Sequence, residues 1–392
     1  MAFIHERKAW PRFTWNEASV SAPMADVHHC QGVLYGKMEG LSIPFQTEAG
    51  LRARTEDIVK SGAIEGERLD PKTVRSSLAR RLGLKISGME PSNREVDGFV
   101  EMLLDATQNW NTPLTDERLF GWHAALFPTG RNGMNKITTG AWRTPASGAM
   151  QVVSGPLGKE TVHFEAPEAS RLPKEMEAFL RWTGDSTGLD PLLRSGVAHL
   201  YFVTIHPFED GNGRISRAIS DMILSQGVKG QPRFYSLSAQ IEAEREDYYN
   251  ELESAQRGTL DITPWLSWFV GCCGRAVERA ENELAAVLNK GKFWQAVNAK
   301  PINDRQRKIL NLLLDGFEGK LSTTKYARIT KCSEDTALRD LTALIDAGVL
   351  KKNGKGGRST RYELPDIAYM PKEIGTGATA SEHGKQPQAL DH

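Results

Sequence analysis

Apolar residues recur at three- and four-residue spacing through most of the chain between residues 46 and 288, which predicts a largely helical domain. The segments "DGFVEMLLDATQNW" (97–110), "LPKEMEAFLRWT" (172–183), "PLLRSGVAHLYFVTI" (191–205) and "GRISRAISDMILSQ" (213–226) each carry such a stripe. Asp190 before Pro191 supplies a side-chain cap with Pro at the first helical position. One region breaks the pattern. "AMQVVSG" (149–155) and "ETVHF" (160–164) read as two short strands and "GPLGK" as the turn between them, so a β-hairpin is expected inside the helical domain. Residues 1–45 read as an irregular, aromatic-rich extension holding Trp10, Pro11, Phe13 and Trp15. Residues 289–300 read as a linker. Residues 301–370 give three helices followed by a hairpin with a Gly-rich basic tip, the order of a winged helix-turn-helix. In its third helix Ser333 caps the start, Gly348 marks the end, and Leu338, Leu341 and Ile345 share the inward face. The tail 371–392 lacks apolar periodicity and reads as disordered. The expected fold class is mainly α, with a small β-hairpin and a C-terminal winged helix-turn-helix.

Composition narrows the picture modestly. The 392 residues exceed one ordinary core, and 40% hydrophobic with 25% charged residues suits a globular chain of two or three domains. The formal net charge is zero, so any nucleic-acid footprint must be a local patch. Lys351, Lys352, Lys355, Arg358 and Arg361 form one in the wing, suited to DNA phosphates. The third helix mixes Arg339 with Glu334, Asp335 and Asp340, which suits DNA less well, and contact with a protein or a second copy is the alternative. Cys30, Cys272, Cys273 and Cys332 make no spaced metal pair; they read as thiols in a reducing cytoplasm. His28, His29 and Cys30 could ligate a metal, but no partner pair follows, which favours a turn beside the aromatic cluster. No apolar run is long enough to cross a bilayer, and the N-terminus has no signal-peptide core.

The chemistry concentrates in "HPFEDGNGRISR" (206–217). This stretch joins two predicted helices and ends at a helix N-terminus, where backbone N–H groups attract anions. Gly211, Asn212 and Gly213 permit a sharp turn and a close approach to a ligand. Arg214 and Arg217 are three apart on one helix face and suit phosphate groups. Asp210 fits a Mg²⁺ ligand, and His206 is the candidate general base. Phe208 reads as an apolar anchor. These parts describe Mg-nucleotide held over a base that deprotonates a hydroxyl for attack on phosphorus.

With every defined position matched, the stretch resembles the signature of the Fic family of protein adenylyltransferases, H-x-F-x-[DE]-G-N-G-R-x-x-R. The resemblance covers roughly residues 46–288. It implies a Fic-type helical domain with the hairpin as a flap, and transfer of AMP from ATP to a Ser, Thr or Tyr hydroxyl of a target protein or of itself. It implies His206 as base, Asp210 on Mg²⁺, and Gly211, Asn212, Gly213, Arg214 and Arg217 on the phosphates. The flap residues Val152, Val153, Ser154 and Gly155 would align the target as an added strand. "SGAIEG" (61–66) resembles the family's inhibitory motif, with Ser61 and Glu65 at the end of a helix near 51–66. That likeness implies that Glu65 pairs with Arg217 and keeps it from the γ-phosphate, or orients water for removal of AMP. In "YYNELESAQRG" (248–258) the resemblance implies that Tyr248 and Tyr249 wall adenine and Gln256 bonds it; a core position is the alternative for either tyrosine. "WPRFTWN" is similar to an extension that precedes some Fic domains, and a homodimer is implied by the family alone.

Overall fold

The computed structural model describes residues 2–86, 88–154, 159, 161–298, 300–314, 317, 320–353 and 360–365. The chain divides into two compact units, the first running to Glu281 and the second starting at Asn282.

In the first unit the helices are α1 (Glu17–Glu39), α2 (Ile43–Ile64), α3 (Pro71–Arg81), α4 (Arg94–Gln108), α5 (Asp116–Leu126), α6 (Leu172–Asp185), α7 (Pro191–Ile205), α8 (Asn212–Gly227), α9 (Leu237–Ala243), α10 (Arg245–Arg257) and the start of α11 (Thr263–Val297). Two short antiparallel hairpins interrupt them, β1 (Arg131–Asn132) with β2 (Asn135–Lys136), and β3 (Gln151–Ser154) with β4 (Thr161–Glu165). The architecture is mainly α, as the periodicity predicts.

Helix α7 is the centre of the unit. Every residue from Leu192 to Ile205 is buried, and Asp190 caps its start by accepting from Leu192 N–H at 2.9 Å. One side of α7 packs with α4, α5, α6 and α8 through Tyr201, Phe202, Phe179, Phe99 and Ile219. The other packs with α10 and α11 through Leu200, Trp265, Phe269 and Val270. Full burial of such side chains is worth about 1.5–3 kcal/mol each. Helix α2 is fastened by a buried ionic cluster. Arg233 donates to Asp221 of α8 at 2.5 Å and to Asp57 of α2 at 3.5 Å, while Asp57 also accepts from the Ser236 hydroxyl at 2.6 Å. A buried guanidinium needs such partners, because unpaired it costs several kcal/mol.

Three expectations change. Residues 1–45 are not irregular: Asn16 caps the 23-residue helix α1, which runs through "HHC". There His28 bonds Gln31 and Asp190, and no group of metal-ligating side chains occurs among the described residues. The aromatic segment ahead of α1 joins the core. Trp10 and Phe13 lie edge-on to Tyr201, and Trp10 Nε1–H donates to Glu175 at 2.8 Å. The stretch 289–300 is not a linker up to Val297. Helix α11 continues because Phe293 and Val297, four apart, bury completely in the second unit's core. The third change concerns the inward face of the last helix.

The second unit holds the end of α11, α12 (Asp304–Leu314), α13 (Thr323–Thr330), α14 (Glu334–Asp346), β5 (Lys351–Asn353) and β6 (Arg361–Glu363), the latter two antiparallel. A bridge from Leu321 to Tyr362 adds a third extended segment beside this pair. Ser333 caps α14 by accepting from Thr336 N–H at 3.2 Å. The buried face of α14 is Ala337, Leu341 and Leu344, whereas Leu338 is half exposed and Ile345 only partly buried. Asp340 is drawn inward by Arg305, Asn303 and Tyr326, which turns the helix one position from the expected stripe. Lys351 and Lys352 lie on β5 and Arg361 on β6; Lys355, Arg358 and the tail 371–392 fall outside the described residues.

Candidate active site

The loop 206–211 leaves α7 and enters α8, and its shape is over-determined. His206 sits in the left-handed region (φ 51°), which ends α7, and Gly211 (φ 81°) starts α8. A Cβ at Gly211 would meet Phe127 at 2.9 Å, so only glycine fits the turn and the contact together. The side chain of Asn212 closes the loop on itself, accepting from Phe208 N–H at 3.0 Å and donating to Phe208 O at 2.9 Å. Phe208 is fully buried, as its anchor role requires, and stacks on His123 with ring centroids 4.1 Å apart.

Two residues far away in sequence hold the loop from outside, and sequence reasoning missed both. Arg143 is buried and donates from Nε to His206 O at 2.8 Å and from Nη2 to Pro167 O, while its backbone N–H donates to Pro207 O at 2.9 Å. His123 accepts from Gly140 N–H at 3.1 Å through Nδ1, which leaves the proton on Nε2 to donate to Asp210 O at 3.2 Å. Burial pushes His123 down to about 4, consistent with that neutral ring. Glu209 ties the loop to residues 138–147 by accepting from Thr138 and Ser147. Only the separation in sequence hid these partners.

The base candidate is well prepared. The Nδ1–H of His206 donates to Val203 O at 3.2 Å, so in the neutral ring Nε2 keeps its lone pair free for a proton. Burial, with the nearby positive charge of Arg143, pushes its pKa down to about 4, so the ring is neutral at physiological pH.

Both motif arginines are buried at the start of α8. Arg217 donates to Ser61 Oγ at 2.7 Å, to Ser61 O at 3.0 Å and to Glu65 Oε1 at 2.8 Å; its Nη1 has no hydrogen-bond partner among the described residues. Arg214 donates to Glu67 Oε1 at 2.5 Å, lies 3.5 Å from Asp210 and stands over the Phe127 ring. Ser61 is in the last turn of α2 and Glu65 is its C-terminal cap residue, so the helix end itself delivers the carboxylate. Burial raises the pKa of Glu65, but the charge and hydrogen bond of Arg217 outweigh it, and the carboxyl titrates below its ordinary value. A Cβ on Gly213 would lie 2.1 Å from Glu65 Oε1, so the missing side chain is what lets Glu65 reach the helix start.

Asp210 is partly exposed. Its carboxylate accepts from Gly211 N–H at 2.5 Å and from Asn132 on β1. A single carboxylate fits Mg²⁺, which takes one or two carboxylates and fills its shell with water and phosphate oxygens. The residues present therefore suit an ion arriving with a nucleotide rather than a resident one.

The remaining expected residues separate. Tyr249 is partly exposed near the end of α2, its hydroxyl donating to Ile64 O at 3.2 Å. Tyr248 and Gln256 face inward instead. Tyr248 bonds His199 at 2.9 Å and Gln256 donates to Thr204 at 3.4 Å, both in the core. In this structure, then, only Tyr249 of the three presents a surface, because α10 turns its other stripe against α7. In the flap, Val152, Val153 and Ser154 lie on β3, exposed throughout and hydrogen-bonded only to β4 among the described residues. Gly155 falls outside the described residues. The flap is fixed from below by Arg257, which donates to the carbonyls of His163 (2.9 Å) and Val162 (2.7 Å), and by Glu253 bonded to His163 at 2.7 Å.

Residues 3–84 match a domain family of unknown function, DUF4172, and residues 113–224 match the Fic/DOC family model. Residues 113–224 thus match a Fic domain. The protein adenylyltransferase Fic of Nematostella vectensis is 34% identical over 118 residues, 29% of this chain and 25% of that protein. The Drosophila melanogaster protein of the same name is 25% identical over 261 residues, 62% of this chain and 46% of that one. The chain thus spans less than half the length of these relatives. Among solved structures, a Fic family protein from Desulfovibrio desulfuricans G20 aligns with a TM-score of 0.51 at 22% identity, covering 94% of this chain and 99% of that one, and so has a related fold. The Fic match covers the whole loop of His206, both arginines, His123 and Arg143. The Ser61–Glu65 end of α2 falls instead in the preceding match.

Proposed function

We propose that this Fic domain transfers AMP from Mg-ATP to a hydroxyl of a protein target, itself included, and that Glu65 holds it inhibited. The observation that carries the reading is the pairing of a neutral His206, its Nε2 free, with two buried arginines, eight and eleven positions on, in the first turns of a helix. His206 would take the proton of the attacking hydroxyl as oxygen bonds to the α-phosphorus and pyrophosphate leaves. Arg214, Arg217 and the first N–H groups of α8 would hold the phosphates, and Asp210 would hold Mg²⁺, which neutralises charge on the leaving group. The free outer edge of β3 would align the target segment as an added strand.

The same geometry supports the inhibition. Glu65 occupies the guanidinium that a γ-phosphate would use, and its negative charge sits where that phosphate would come. The test of the catalytic role is His206→Ala in the Glu65→Gly background. Transfer of label from α-labelled ATP disappears while nucleotide affinity changes less than threefold, because the base acts mainly in the transition state. Equal loss of affinity and rate would contradict the assignment.

A further inference from the structure

Glu65 is not the only carboxylate in the phosphate site. Two residues on, Glu67 reaches the other motif arginine, its Oε1 2.5 Å from Arg214 Nη1. Ser61, Glu65 and Glu67 therefore engage both buried arginines from one short stretch at the end of α2. The backbone folds for this purpose: Gly66 (φ 84°) turns the chain, and Glu65 N–H, Gly66 N–H and Glu67 N–H all donate back to the last turn of α2. Gly66 thus carries the two carboxylates to arginines three positions apart on α8.

The arrangement is not explained by local stability. Burial raises the pKa of Glu67; Arg214 opposes this, but the negative charges of Asp210 and Glu65 add to it, and the carboxyl titrates above its ordinary value. A carboxylate held among two others is poorly satisfied where it stands. Arg214 also keeps a buried Nε without a hydrogen-bond partner among the described residues. Glu67 can leave: it lines a cavity of about 340 Å³ together with Arg68, Phe127, Arg131 and Asn132.

The geometry points to Glu67 as a second latch on the nucleotide site, which excludes phosphate from Arg214 independently of the Glu65 latch on Arg217. This deepens, and rests on, the reading of the loop as a nucleotide site. The end of α2 acts as an internal polyanion that must lift from both arginines before a triphosphate seats. The two latches have different signatures. Because Glu65 takes the γ-phosphate's arginine, removing it favours ATP over ADP. Removing Glu67 frees Arg214 and strengthens ADP and ATP alike.

The experiment is calorimetric titration of the full chain with ADP and with ATP in Mg²⁺, comparing wild type, Glu67→Gln, Glu65→Gly and the double variant, with thermal melts as the check on folding. If Glu67 holds Arg214 in about nine molecules in ten, Glu67→Gln tightens ADP about tenfold, since apparent affinity scales with the competent fraction. The double variant tightens ATP beyond either single one. If Glu67→Gln fails to fold, Glu67→Asp keeps the charge but shortens the reach, and is expected to tighten ADP at least threefold. An ADP affinity within twofold of wild type, or weaker, in the folded variant overturns the second latch. Failure of the broader reading appears separately, as no AMP transfer by Glu65→Gly, and leaves the ADP result to be read on its own.

Discussion

Acid is the most discriminating perturbation of His206. An imidazole with the ordinary pKa of 6.5 is only about one-tenth neutral at pH 5.5; one pushed down to about 4 is about 97% neutral there. The ability of the ring to accept a proton at that pH thus differs about tenfold between a solvated and a buried histidine. The structural cause is specific: the ring is partly buried in the loop that joins α7 to α8, its Nδ1–H is committed to Val203 O, and Arg143 adds positive charge. The assay is the imidazole ¹⁵N shift of His206 in the nucleotide-free protein, assigned with the His206→Ala variant and followed from pH 8 to 5. The shifts stay those of a neutral ring with the proton on Nδ1 down to pH 5. A titration midpoint near 6.5, or a proton on Nε2, would refute the reasoning that Nε2 is held free as a base.

Three further outcomes follow from the packing. His123 and His199 are buried neutral, pushed down to about 4 and about 3, so their folded pKa values lie below the unfolded 6.5. The unfolded chain then binds more protons, and stability is full above about pH 6.5 and falls as the pH drops toward 4; near pH 5 the loss is about 2 kcal/mol for each, read as a lowered urea midpoint relative to pH 7.5. Arg143→Ala leaves His206 O and Pro167 O without their donor, costs about 3 kcal/mol by denaturant titration and lowers AMP transfer by Glu65→Gly about tenfold or more. In the second unit, Leu341→Ala costs about 2–5 kcal/mol and Leu338→Lys is within about 0.5 kcal/mol of wild type, because Leu341 is fully buried and Leu338 half exposed; melting of the two variants decides between this face and the expected one.

What could be read in the sequence was local. Asp190–Pro191 announces the start of α7, and the Gly-Asn-Gly turn announces the start of α8, because capping and left-handed turns depend on near neighbours. The hairpin at 151–165 was legible for the same reason. Helix α1 was not, since Pro23 and the adjacent histidines look like breakers while the burial of Val20, Val27 and Leu34 depends on partners far along the chain. The end of α11 reads as a linker because "NKGK" is polar, yet Phe293 and Val297 find a core only once α12 to α14 are present. At the site, the motif residues were visible and their supports were not. Arg143, His123 and Glu67 lie 63, 87 and 147 positions from the motif residues they bind, and no spacing rule spans such distances. Tyr248 and Gln256 show the converse: a sequence likeness places them near a nucleotide, whereas the face of α10 decides which side chains stay in the core.

The central claim joins a base to a brake, and one labelling experiment tests both. The full chain is incubated with α-labelled ATP and Mg²⁺ as wild type, as Glu65→Gly and as Glu65→Gly/His206→Ala, and the label in protein is measured. The account predicts weak label in wild type, strong label in Glu65→Gly and none in the double variant. No label in Glu65→Gly, or equal label with and without His206, would contradict it.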